Sequence, residues 1–110
     1  MSGLALGSNA HIFARPHRRA ELARCFETLL GGPVRTVSFP GGGHLSIEFR
    51  DDAPDGAEPT LGAWLELRSA DPAALLQTAV GAGLMQVRHP GHPYYFMIPG
   101  GQVFTIAPAN

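Results

Sequence analysis

One unit of sequence is written twice in this chain, and that repeat constrains the fold more than any single motif. The first copy, Asn9 to Phe49, runs as a strand-like AHIFARP, an amphipathic RRAELARCFETLL, a Gly-Gly stop, then VRTVSFPGGG and HLSIEF. The second, Gly62 to Pro108, runs as AWLELRSA, a helical DPAALLQTAVGAG, then LMQVRHPG, HPYYFMIPGG and QVFTIAP. Each copy enters its last strand through a Pro-Gly-Gly turn. A strand–helix–strands unit cannot bury its apolar face alone, so two of them predict paired halves with a site where they meet.

Within each copy the local patterns are distinct. In the opening strand Ile12 and Ala14 share one face, while His11, Phe13 and Arg15 share the other. Leu22, Phe26, Leu29 and Leu30, joined by Ala23, form the buried stripe of a first helix that Gly31-Gly32 stops and Pro33 keeps from resuming. HLSIEFR alternates Leu45, Ile47 and Phe49 against His44, Ser46, Glu48 and Arg50. AWLELR alternates Ala63, Leu65 and Leu67 against Trp64, Glu66 and Arg68. Asp71-Pro72 opens a second helix whose buried stripe is Leu75, Leu76, Ala79 and Val80, with Gly83 as its left-handed terminator. Pro90-Gly91 and Pro99-Gly100-Gly101 separate three short strands. The polar DDAPDGAEPT reads as a linker.

At 110 residues the expectation is one domain, 1–110, with module one over about 9–50, a linker over 51–61 and module two over about 62–108. A net charge of −1 gives no electrostatic reason to expect nucleic acid or an anionic membrane as partner. No apolar run approaches the roughly 20 residues of a membrane span, and the mildly apolar MSGLALGSN lacks the basic flank of a signal peptide, so a cytoplasmic location is expected. A single cysteine excludes an internal disulfide and multi-cysteine zinc patterns. Cys25, among Ala23, Phe26 and Leu29, reads as a buried structural thiol.

With helices on one face only, the other face of the sheet collects His44, Glu48, Trp64 and Glu66, and can curl into a polar and aromatic cup. At this level the chain resembles the vicinal oxygen chelate superfamily, which includes glyoxalases, bleomycin-resistance proteins and extradiol dioxygenases. The resemblance rests on His11 in an opening strand, on RRAELARCFETLLGG with its Phe-then-Leu-Gly ending, and on YYFMIPGGQVFTI. It implies an α+β fold of paired βαβββ-type modules, the first one shortened, forming a curled, mixed, mostly antiparallel sheet with both helices on the outer face. It also implies a homodimer. The family's metal site takes one ligand from the first and one from the last strand of each module. His11 fits the first position; Glu48 fits the second only if the FPGGG turn shifts the register by one, since direct counting gives Ile47. By distance from Asp71 the third position falls on Trp64, and the fourth falls on Thr105. Neither is a suitable ligand, so the expectation is no metal and no cofactor.

The candidate site residues follow. Glu48 and Glu66 are candidate catalytic acid–base groups, because burial beside Trp64 would raise a carboxyl pKa towards the useful range. Both could equally be held in surface bridges to Arg50, Arg68 or Arg15. His11, Phe13, Trp64, Tyr95 and Thr105 are candidate ligand-binding residues; Tyr94 and Tyr95 are adjacent, so only one can line the cup. His89 and His92 lie beside prolines and read as turn or rim residues, and His17 as a surface residue. The glycine-rich stretches lack the strand-to-helix patterns of phosphate loops. The expected function is binding of a small organic molecule in a sheet-lined cup. The alternatives are a divalent-metal-dependent lyase, isomerase or dioxygenase using His11, Glu48 and Glu66, and a ligand-free dimeric scaffold.

Overall fold

Two sheets and two helices follow one another in the order the repeat predicts. The structure, a computed structural model, describes residues 8–31, 37–39, 41–56, 58–59, 63–88 and 90–109. The elements are β1 (Asn9–Ala14), a 3-10 turn at Pro16–Arg18, α1 (Arg19–Leu30), β2 (Val37–Ser38), β3 (His44–Phe49), β4 (Trp64–Ser69), α2 (Pro72–Gly81), β5 (Met85–Gln86), β6 (Tyr95–Met97) and β7 (Val103–Pro108). They form an open α+β arrangement with strand orders β1-β3-β2 and β4-β7-β6-β5. In each module the first and last strands run parallel and side by side, with the helix in the crossover, as a parallel pair requires. The remaining pairs, β2 with β3, β5 with β6 and β6 with β7, are antiparallel. Among the described residues the first module has one strand fewer than the second.

The repeat extends to the turns. Phe39 N–H donates to Gly43 O (3.1 Å) and Gly42 N–H to Phe39 O (2.9 Å). In the second copy Ile98 N–H donates to Gln102 O (3.0 Å) and Gly101 N–H to Ile98 O (3.1 Å). Gly43 and Gln102 are therefore equivalent, and His44 and Val103 open equivalent strands. The glycines are needed because both turns pass through positive φ, at Gly42 and Gly43 in one and at Gly100 and Gly101 in the other.

Both modules share one core. Phe26 of α1, fully buried, meets Phe104 of β7 edge-on at 6.3 Å, and Phe104 stacks on Phe96 of β6 at 5.8 Å. Helix α1 also packs on α2. The stripe of α1 is Leu22, Cys25 and Phe26, with Leu29 and Leu30 half-buried; Ala23, expected to join it, is exposed. One residue is 100° of helix, enough to carry a small side chain off the buried edge. In α2, Ala79 is buried and Leu75 and Leu76 half-buried, but Val80 is exposed. Helix α2 is apolar nearly all round, so its sequence pattern does not single out one face. Its start is sharply defined: Asp71 Oδ1 accepts from Ala74 N–H at 3.1 Å, and Pro72 occupies the first turn. Asp71→Ala should lower stability by about 1 kcal/mol in urea unfolding, the usual loss of a side-chain N-cap.

The segment between the modules is more than a tether. Arg15 Nε donates to Ala53 O, and Ala53 is buried. Asp55 accepts from Arg18 Nε at 2.7 Å and pairs with His17 Nε2 at 2.8 Å, which fastens the segment to the start of α1. The bond from Arg18 holds the Asp55 carboxyl below its ordinary pKa. Arg15, Arg18 and His17, the last of which reads from sequence as a surface residue, thus anchor a crossing of the chain.

Candidate functional site

The faces of the two sheets turned away from the helices carry the predicted site residues. Period-two alternation sends Ile12, Ala14 and Leu45 to the core and leaves His11, Phe13 and Glu48 on the other side of the first sheet. His11 lies opposite Ser46 and Phe13 opposite Glu48. The imidazole reaches diagonally, with His11 Nε2 3.2 Å from Glu48 Oε1, and its ring lies 5.1 Å from that of Phe13. Glu48 Oε2 also accepts from Arg50 Nη1 at 3.5 Å, while Arg50 forms shorter bonds of 2.9 and 3.1 Å to Asp52. That guanidinium holds the Asp52 carboxyl below its usual range. Ile47 faces the core side, so it is Glu48, one residue on, that joins His11.

In the second sheet Glu66, Thr105 and Tyr95 lie in one row across β4, β7 and β6. Trp64 sits two residues before Glu66 on the same face, its ring edge-on to Tyr95 at 5.8 Å. Tyr95 is buried, and the His92 ring approaches it from the loop before β6 at 6.1 Å. Tyr94 packs against the core instead, as adjacent strand residues must. Glu66 pairs with Arg68 Nε at 3.4 Å. Neither carboxylate is buried: the side chains of Glu48 and Glu66 are 45 % and 43 % exposed. His89 lies outside the described residues.

The strand register revises the correspondence between the modules. Ser46 stands three residues after Gly43, and Thr105 three after Gln102; their neighbours on the first strands are His11 and Glu66. Glu66, and not Trp64, therefore occupies the place of His11, and Trp64 occupies the place of Asn9. Counting back from the helix misplaced the position by two residues, because the strand-to-helix connections of the two modules differ: a 3-10 turn precedes α1, whereas α2 follows its strand almost directly.

A divalent ion needs several converging donors. His11 and Glu48 converge, but no third His, Cys, Asp or Glu joins them or forms another group of three among the described residues. Among the described residues of one chain the side chains do not fit a resident metal. Two further features had no signal in the sequence. Ser38 Oγ and His44 Nδ1 bond at 2.8 Å on the same face as Glu48. A crevice of about 190 Å³ lies where His11 to Ala14, Pro54, Pro99, Gly100 and Gln102 meet. Its three segments are too far apart in the chain for any local pattern to join them.

No protein-family model matches the chain, and no curated protein matches it in sequence. Solved structures do. A member of the glyoxalase/bleomycin resistance protein/dioxygenase superfamily from Sphaerobacter thermophilus aligns with a TM-score of 0.60 at 18% identity, covering 96% of this chain and 98% of that one. A gene product of Arabidopsis thaliana aligns with a TM-score of 0.60 at 12% identity, covering 94% of this chain and 99% of that one. The chain has the glyoxalase-like fold that its sequence resemblance implied. No helix among the described residues is long and apolar enough to cross a membrane.

Proposed function

We propose that this protein binds a small organic molecule against the helix-free faces of its sheets, as a cytoplasmic homodimer without a resident metal. One observation carries the reading. Phe13 and Trp64 are 49 % and 50 % exposed, on faces whose other members, His11, Glu48, Glu66 and Thr105, are polar. Large aromatic side chains in a polar setting are the composition of a site that desolvates a planar ligand and orients it through a few hydrogen bonds. A second copy supplies the cover that each half-open face lacks. If the bound molecule is turned over, Glu48 or Glu66 is placed to act as base and His11 to orient the substrate.

Trp64 is the only tryptophan, so its emission reports binding directly. A ligand library should contain compounds that shift or quench it saturably, and Phe13→Ala should weaken the best of them by about 10-fold or more, as for a buried aromatic contact. A library without effect on a protein that sediments as a dimer would refute the reading in favour of the ligand-free dimeric scaffold. A metal-dependent enzyme is favoured by the His11–Glu48 pair and by the equivalence of His11 with Glu66, and it requires Glu66 of a second chain as third donor. Stoichiometric metal in tag-free protein, lost in His11→Ala, would establish that reading instead.

A further inference from the structure

On its helix-free face β4 lines up Trp64, Glu66 and Arg68, each two residues from the next. Trp64 is half-exposed, the most exposed of the large apolar side chains among the described residues. Its ring meets that of Tyr95 edge-on, with 82° between the planes, so Tyr95 leaves at least one face of the indole uncovered. Glu66 Oε1 accepts from Arg68 Nε at 3.4 Å, and Oε2 accepts no hydrogen bond among the described residues. Glu66 separates Arg68 from Trp64 along the strand, and an ion pair this long and this exposed contributes little. The carboxylate of the other sheet is differently placed. Glu48 stands opposite the half-exposed Phe13, but its two oxygens are engaged by His11 and Arg50.

We infer that Trp64 and Glu66 form a subsite for an organic cation, a substituted ammonium group that lies against the indole and faces the carboxylate. The face of an aromatic ring is the negative end of its quadrupole and attracts a positive group within about 6 Å of the centroid, tryptophan most strongly. Neighbours on one face of a strand stand about 6.6 Å apart, which leaves room for one such group between ring and carboxylate. The carbon substituents of the nitrogen match the indole surface, and its charge matches Glu66. A neutral ring would use the indole and leave the carboxylate without a partner, and an anion would be repelled by it. Thr105, the neighbour of Glu66 on β7, adds a hydroxyl for a polar substituent of the same ligand. The inference rests on the small-molecule reading above and adds the ligand's charge and chemical class. It also assigns Glu66 to binding, which leaves Glu48, beside His11, as the carboxylate for any proton transfer.

The test uses isotope-labelled full-length protein, in which Trp64 gives the only indole N–H resonance. At constant ionic strength choline should shift that resonance saturably. 3,3-Dimethyl-1-butanol, which has the same shape without the charge, should bind roughly tenfold more weakly, the combined worth of an exposed cation–π contact and an exposed ion pair. Glu66→Gln should weaken choline by about threefold or more and leave the neutral probe unchanged. Raising the salt concentration should likewise weaken choline alone. The proposal is overturned by a resonance that choline does not shift saturably, by equal affinity for the two probes, or by choline binding that Glu66→Gln leaves intact. Trp64 emission separates its failure from that of the wider reading: neutral compounds that move Trp64 where choline does not leave the binding protein standing and remove only this subsite.

Discussion

Phe26→Ala should lower the unfolding free energy by about 3–5 kcal/mol, the cost of truncating a fully buried phenylalanine. The residue has no exposed surface and is the link through which α1 of the first module reaches Phe104 and Phe96 of the second. Its loss removes transfer free energy, opens a cavity and takes away an edge-on aromatic contact at the same time. A domain of this size has roughly 5–15 kcal/mol in total, so the variant should sit near the edge of folding. Urea unfolding followed by far-UV circular dichroism measures the change. Phe13→Ala is the matched control: the same chemical truncation at a half-exposed site should cost less than about 1 kcal/mol. A Phe26→Ala loss no larger than the control's would mean that the two modules do not depend on this seam. Two separate unfolding transitions in the parent protein would mean the same.

How far the sequence anticipates this architecture depends on how many residues each feature spans. The faces of β3 are legible because apolar and polar residues alternate without exception from His44 to Phe49, and the register needs no more than that. The stripe of α1 is legible to within one residue. That of α2 is not, because Ala73, Ala74 and Val80 give its exposed side almost the same character as its buried one. The pairing of His11 with Glu48 depends on the turn before β3, and in a structure of period two a one-residue slip exchanges Glu48 for Ile47. Equivalence between the modules is carried by the turns and by strand pairing, so counting from Asp71 gives Trp64 where pairing gives Glu66. The anchoring of 51–56 through Arg15, Arg18 and His17 joins positions nearly forty residues apart, and the polar composition of both segments carries no sign of it. The crevice is the extreme case, because its lining comes from three separate stretches of the chain.

Cys25 provides the second large effect, and its sign can be worked out in advance. Burial disfavours the thiolate and pushes the folded-state pKa of Cys25 from 9.0 up to about 12. The unfolded chain releases the proton near its ordinary value. The stabilisation that comes from keeping the thiol neutral is therefore complete below about pH 9 and is lost as pH rises from there to about 12. Each unit is worth about 1.4 kcal/mol, so by pH 11 the penalty should approach about 3 kcal/mol. Cys25→Ala removes the titrating group and leaves a small cavity. At pH 7 it should be less stable than the parent by about 1 kcal/mol, since a buried cysteine packs as a small hydrophobe. At pH 11 the order should reverse, with the variant ahead by about 2 kcal/mol. Every other ionisable group is common to both proteins and cancels in the comparison. Paired urea titrations at the two pH values read the crossover directly. A stability gap of the same sign and size at both would show that the Cys25 thiol is open to solvent and that the interior of α1 is not sealed. The same burial makes the folded protein slow to alkylate, because only the thiolate reacts, and modification should become fast only under conditions that unfold the chain.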